Sequence, residues 1–397
     1  MGKKIIHINA HGKYSTGKIA TSIATGASNG SKLFYSLDKT DENLGTKFYS
    51  KLGWKMDLLL TRLTGRDSVW SWCNTRRIIK ALKSEKPEII HLHNLHGFYV
   101  SYKKLFKFIK KNDIKVVWTL HDCWSMTGHC TYFDYIGCEK WKTGCEKCPT
   151  FKETYLKSWL FDCSKSTYNA KRKAFSGVKS MVIVTPSEWL AGLVKQSILK
   201  DYPVKVINNG INTENFSITP NESFKELLPN GKKIVLAVAS NWDKRKGFSD
   251  VVEVSRRLTE DYQVVMVGVT ETQKQQLSNE NIIAVTRTEN QKQLAELYSS
   301  AHVFINTTYE DNYPTVNIEA LCCGCPIITY ATGGSVETVD DTNGIVVPKG
   351  NMDLLIKAIY DIGSKEFDRQ AMSISAKETY SEGGMVKKYI ELYEEMN

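Results

Sequence analysis

Two carboxylates, Asp311 and Glu319, stand in the most chemically suggestive stretch of the sequence, residues 302–337, with seven residues between them. An apolar run at 303–305 predicts a strand, which leads into a polar loop carrying Glu310 and Asp311. Pro314 then opens a short helix that Gly324 closes, and a second apolar strand at 327–329 ends in Gly333 and Gly334. Strand–loop–helix–strand is the unit of a parallel sheet, whose ligands lie outside the carboxyl ends of the strands. Asp311 falls in the loop and Glu319 in the helix, so both can border a place where loop amides and a helix N-terminus receive an anion. An isolated carboxylate pair is usually only an acidic loop beside a surface helix. The flanking glycines and prolines favour a site.

Other clusters call for the same kind of chemistry. A strand at 233–239 leads into Lys244, Arg245, Lys246 and Gly247, three cations at a strand–helix junction that suit a diphosphate better than a base. The first strand, 4–9, runs into Gly12-Lys13-Tyr14-Ser15-Thr16-Gly17-Lys18, close to a phosphate-cradling loop. Ile19 stands where a Ser or Thr would hold magnesium, so only the geometry is kept: a glycine turn before a helix with free N–H groups. Strands at 88–92 and 116–120 end in His91, His93 and His96 and in His121 and Asp122, a histidine set that reads as a cleft lining. Alternation puts His91 and His93 on one side of their strand. Asn208 to Asn212 form a sharp polar turn.

These groups require a scaffold of alternating strands and helices. Further strands are expected at 31–37, 180–185, 204–207, 263–267 and 282–285, and helices at 47–64, 75–85 and 102–111. With 397 residues the chain is too long for one ordinary core. Turn and breaker residues at 216–232 suggest a linker between an N-terminal domain, 1–215, and a C-terminal domain, 233–375, with a terminal helix at 376–397 packing back on the first. The fold class is α/β, two doubly wound Rossmann-like domains facing across a cleft.

Composition is that of a globular protein, 42% hydrophobic and 24% charged, and the N-terminus turns polar too early for a signal peptide. The expected location is the cytoplasm. A net charge of +10 favours anionic partners. The three helices named above mix Trp, Leu and Phe with Lys and Arg, either as outer faces of crossover helices or as a surface that rests on an anionic membrane. Base-stacking aromatics are not interleaved with those cations, which argues against nucleic acid. Five of ten cysteines crowd residues 123–148 and end in Cys-x-x-Cys. Cys130, Cys138, Cys145 and Cys148 form the best tetrahedral set for a structural zinc, with His129 or Cys123 as substitutes; reduced core thiols are the other reading.

The residues also carry a family resemblance over nearly the full length. Asp311 to Glu319 with the following Ala-Leu-Cys-Cys-Gly-Cys-Pro, Gly333-Gly334-Ser335-Val336-Glu337, Arg245-Lys246-Gly247 and Asn209-Gly210-Ile211 resemble the glycosyltransferases of family four, which have the GT-B fold. The passages around His93 and His96 and around His121, with the cysteine knot, resemble members that build bacterial exopolysaccharide and capsule of the colanic-acid type. The resemblance implies a retaining transferase with no catalytic metal, a nucleotide-diphosphate sugar as donor and a saccharide acceptor, free or lipid-linked. It implies catalytic roles near the donor sugar for Asp311 and His121 and ribose binding by Glu319. Lys246 would neutralise the departing diphosphate, a charge that preorganised cations stabilise strongly. Gly17, Asn209, Arg245, Glu310, Asn312, Tyr313, Pro314, Thr315, Val316 and Asn317 would complete the donor site. Two departures stand out. Asp311 is read at the position where the family usually has Glu, with Glu310 one residue earlier as the alternative, and Ser240 stands where it often has Arg, a charge that Arg245 could supply. A nucleotide-sugar epimerase on the same architecture, and a non-catalytic zinc or nucleic-acid binding protein, are the competing readings.

Overall fold

The computed structural model of the chain describes residues 3–13, 16–27, 30–38, 44–153 and 156–396, and it divides into two units, Met1–Asn208 with Met385–Asn397, and Asn209–Gly384. Tyr14 and Ser15 of the glycine loop, and Asn397, lie outside the described residues.

The first unit holds a parallel sheet of β1 (Ile5–Ile8), β2 (Lys32–Tyr35), β3 (Gly45–Lys47), β4 (Ile89–Leu92), β5 (Lys115–Thr119), β6 (Met181–Thr185) and β7 (Val204–Val206). Their order is β3-β2-β1-β4-β5-β6-β7. The central strands are apolar along their length because both faces are covered, as crossover helices require. One face, with Ile6, Ile8, Ile90, Leu92, Val116 and Trp118, packs beneath helices such as Tyr102–Asn112. The opposite face, with Ile5, Ile89, Val117 and Val184, meets Tyr389, Leu392 and Tyr393 of the last helix, Glu382–Glu395.

The second unit repeats the plan with β8 (Lys233–Val238), β9 (Tyr262–Val267), β10 (Ile282–Val285), β11 (Val303–Asn306), β12 (Ile327–Tyr330) and β13 (Gly344–Val347). The order is β10-β9-β8-β11-β12-β13, again all parallel. Both orders reverse direction beside the first strand, at the switch point where doubly wound sheets bind ligands.

The structure differs from the sequence reading at several elements. Residues 45–47 are a strand rather than the start of a helix, and the helix begins at Lys51 with the Ser50 hydroxyl accepting from the Gly53 amide. β3, Gly-Thr-Lys, carries no large apolar residue to mark it, and β13, although apolar at Ile345, Val346 and Val347, is a four-residue edge strand with only its ends buried. The segment 216–232 is not a free linker. Phe216 and Phe224 enter the second unit's core, and the Glu296 carboxylate accepts from the amides of Glu222 and Ser223. The unit boundary accordingly falls between Asn208 and Asn209. At the other end two helices, Arg369–Tyr380 and Glu382–Glu395, replace a single terminal one, and the part from Met385 onward packs with the first unit.

Candidate active site

In the second unit the loop after β11 and the loop after β8 are laced together. The Arg245 guanidinium donates to the Glu310 carbonyl at 2.6 Å, and the Tyr309 amide donates to the Arg245 carbonyl at 2.7 Å. Gly247, at φ +72°, sits so near Thr307 that a Cβ would lie 2.3 Å from its carbonyl oxygen, so glycine lets the two loops touch. Lys246 is aimed by the turn, its amide donating to Asp243 Oδ1 at 2.9 Å, and its ammonium forms an ion pair with Asp311. Burial raises the Asp311 carboxyl pKa, but Lys246, Arg245 and the Asn312 amide outweigh it and hold the group below its ordinary value. Gly333 and Gly334 wrap the carbonyl of Asp311: the Gly334 amide donates to it at 3.2 Å, and a Cβ on Gly333 would collide with it at 1.8 Å.

The helix Thr315–Cys322 starts from Pro314, and Gly324 follows its end at φ +65°. Its first amides, at half-buried Thr315 and Val316, precede the intrahelical bonds and form an anion-receiving N-terminus. Glu319, half-buried on the same helix, accepts from the Tyr298 hydroxyl at 3.3 Å. The remaining candidates have supporting positions. Asn317 is fully buried and clips Asn306 (2.8 Å) to Thr338 (2.9 Å), so its side chain braces β11 rather than facing outward. Tyr313 is buried with its ring near Tyr380, Asn312 and Glu310 are buried beside it, and Asn209 donates to the Tyr313 carbonyl at 3.4 Å. Tyr298, Asp243 and Asp250 were not singled out from sequence. Asp250 accepts from the hydroxyls of Tyr309 (2.9 Å) and Tyr330 (2.6 Å), a link from its helix to a loop and a strand that no local spacing signals.

The first unit holds the other candidates. Gly17 lies in the first turn of the helix Thr16–Gly26, where a Cβ would sit 3.0 Å from both the His11 oxygen and the Gly12 carbon; the glycine admits close backbone packing. β1 and β4 pair with His7 opposite His91, and period-two alternation carries the same sheet face on to His93, Thr119 and His121. His7 Nδ1 lies 3.3 Å from His93 Nε2, and His93 Nδ1 lies 3.1 Å from His121 Nε2. Burial depresses all four histidines, His7 to about 3 and His121 to about 4, so they are neutral at pH 7. His96 takes a separate role, meeting Asp122 at 2.7 Å, while the other Asp122 oxygen accepts from the Trp124 amide at 2.9 Å.

Among the described residues, the cysteine segment 120–163 has no regular element longer than a single helical turn. Cys130 donates its thiol hydrogen to Cys148, which that bond lowers to about 6, and Cys138 and Cys145 lie near enough to act on Cys130 electrostatically. The Gly128 amide donates to the Cys145 sulfur at 3.2 Å. Amide donation to sulfur and the lowered Cys148 thiol suit thiolate ligation, whereas Cys130 is held above its ordinary value and burial pushes Cys145 up to about 11. Among the described residues, however, the trio whose ligand atoms come within 4.8 Å of one another is His7, His91 and His93, not the sulfurs.

Two doubly wound parallel-sheet units, each with its candidate groups at the carboxyl ends of its strands, are the architecture of the GT-B transferases. The comparisons with known proteins agree. Residues 219–379 match the family described as glycosyl transferases group 1, and residues 59–215 match glycosyltransferase family 4. The chain belongs to these glycosyltransferases. It is 24% identical over 356 residues to a putative colanic acid biosynthesis glycosyl transferase, WcaC, of Escherichia coli K12, covering 86% of this chain and 84% of that one. Among solved structures, the sucrose-phosphate synthase of Thermosynechococcus elongatus superposes with TM-score 0.70 at 17% identity over 99% of both chains. The Anabaena protein Alr3699/HepE, solved in complex with UDP, also gives 0.70, at 13% identity, over 99% of this chain and 100% of that one. Among the described residues no helix is long and apolar enough to cross a membrane.

Proposed function

We propose that the chain is a retaining glycosyltransferase that needs no catalytic metal and moves a sugar from a nucleotide diphosphate to a saccharide acceptor in surface-polysaccharide synthesis. The observation that carries this reading is the joined arrangement of Arg245, Lys246 and Asp311 near the N-terminus of the helix bearing Glu319. Glu319 binds the ribose hydroxyls, the helix start and Lys246 take the diphosphate, and Asp311 and His121 act on the donor sugar. As the bond between the anomeric carbon and the phosphate oxygen breaks, its electron pair leaves with the phosphate. The acceptor hydroxyl attacks from the same face and its proton passes to that phosphate. Lys246 and Arg245 supply the positive charge that stabilises the leaving group. The colanic-acid biosynthesis assigned to one relative and the bound UDP of a structural neighbour favour polysaccharide synthesis and a uridine donor. A thermal-shift panel of nucleotide diphosphates and their sugars tests the donor. Sugar transfer that survives excess EDTA, with the product's anomeric configuration matching the donor's, tests the rest. Turnover of the nucleotide sugar without any acceptor would favour the epimerase.

A membrane contact belongs to the same reading, on one of the three cationic helices and the segment beside it. The helix Tyr102–Asn112 buries Leu105, Phe106, Phe108 and Ile109, so its lysines form an ordinary outer face. In the helix Lys51–Thr64, by contrast, Leu52, Met56 and Leu59 share one face and are exposed, Leu52 to 73%. The Trp159 amide donates to the Arg62 carbonyl at 2.7 Å, which brings the exposed Trp159, Leu160 and Phe161 to the end of that helix. Exposed apolar residues beside Lys51, Lys55 and Lys157 suit an anionic bilayer surface.

A further inference from the structure

The carboxyl ends of β1, β4 and β5 deliver His7, His93 and His121 into a single file of imidazoles, with nitrogens 3.3 and 3.1 Å apart. Each such contact holds one hydrogen, and a neutral imidazole offers one N–H and one lone pair. The protons must then all point the same way: the three rings are all Nδ1–H or all Nε2–H. The two ends of the file differ. His7 Nε2 is buried with no partner among the described residues, whereas Nδ1 of His121 is neither buried nor bonded among them. His121 also borders a small cavity with His93, Asn94 and Asp122.

We propose that His7 and His93 are positioning residues that fix the ring orientation and tautomer of His121, leaving Nδ1 as its single working atom toward substrate. The proposal rests on the reading that His121 acts on the donor sugar. Neighbouring contacts hold the file still. His91 stacks on His93 with ring centroids 4.1 Å apart, and its own nitrogens are tied to the Tyr393 hydroxyl at 2.6 Å and to Thr119 at 2.8 Å. Thr119 is tied in turn to the Tyr389 hydroxyl at 3.0 Å, so the last helix clamps the buried end. The titratable groups facing His121 are His93, His96 and Asp122, and the Asp122 carboxylate is engaged by His96. Those facing the buried end at His7 are His91 and Tyr393, with Tyr389 against His91. A metal fits these histidines poorly, because both His91 nitrogens are committed and the rings stack instead of converging on one point.

The defining measurement is nitrogen-15 NMR of the full-length, histidine-labelled protein. His93 and His121 are expected to show the same tautomer and no titration between about pH 6 and 8. His7→Phe removes a ring that does not contact His121, yet it should turn His121 into a mixture of tautomers. It should also lower kcat for sugar transfer about 10- to 100-fold while leaving nucleotide affinity unchanged. His93→Phe should do the same. Opposite or mixed tautomers in the wild-type protein, or a His121 signal unchanged in His7→Phe, overturn the proposal. Full transfer by His121→Ala overturns the role of His121 in the sugar site, and is told apart because the tautomer spectra would stand.

Discussion

The Lys246 ammonium and the Asp311 carboxylate pair directly, although they come from loops after different strands of the second unit. Each is less than one-fifth exposed, so neither charge is fully solvated and each fixes the other. The pairing keeps Asp311 ionised and holds the Lys246 ammonium beside it. Lys246→Ala should lower kcat by about 100- to 1,000-fold, the loss seen when one preorganised group for developing negative charge is removed. Steady-state kinetics on the purified enzyme check this; a near wild-type kcat would move the leaving-group role elsewhere.

Glu319 is predicted to act mainly in binding. Glu319→Ala removes the acceptor for Tyr298 and the proposed ribose ligand, at a cost of about 1.5–3 kcal/mol in donor affinity, the range for hydrogen bonds to a charged group. Calorimetric titration with the stabilising nucleotide reads this directly. An unchanged dissociation constant would sink the assignment.

The histidine file makes the first unit sensitive to acid. His7 and His121 have folded-state values of about 3 and about 4 against an ordinary 6.5, because burial disfavours their charged forms. Below 6.5 the unfolded chain takes up protons that the folded chain refuses. This contribution to stability is whole above 6.5 and is lost as the pH falls through that window toward the folded values. Unfolding midpoints measured from pH 7 down to pH 4.5 should fall, and His7→Phe should flatten the decline.

For the cysteine segment, metal analysis should find about one equivalent of zinc, lost in the Cys145→Ser, Cys148→Ser double variant. The variant should also melt earlier, since little regular structure supports the described residues of 120–163. Metal-free protein with an unchanged melting point would leave these thiols as core residues.

Vesicle binding should weaken on Leu52→Glu or Trp159→Glu and at high salt, and should be insensitive to Lys107→Glu on the helix whose apolar face is buried. Equal effects from both sets would mean that charge alone governs the contact.

Much of this molecule is legible along the chain, because parallel strands buried on both faces are short apolar runs and glycines mark the turns between them. The strands β1, β4, β5, β8 and β11, the helix opened by Pro314, and the cations at 244–246 all follow from local pattern. The edge strand β3 does not, since Gly-Thr-Lys with its exposed positions resembles loop. The segment 216–232 misleads for the opposite reason: its turn residues are real, yet Phe216 and Phe224 anchor it to a core that local composition cannot reveal.

By itself the sequence determined which groups were available: a carboxylate in a loop, another on a helix, a cationic turn and histidines at strand ends. Only the tertiary structure decided who meets whom. Lys246 finds Asp311, Tyr298 finds Glu319, and Asn317 turns inward to brace a strand. His7, from the first strand, closes a file that ends at His121. These partners are set by strand register and by loops that pack across the sheet, and such contacts leave no period in the sequence.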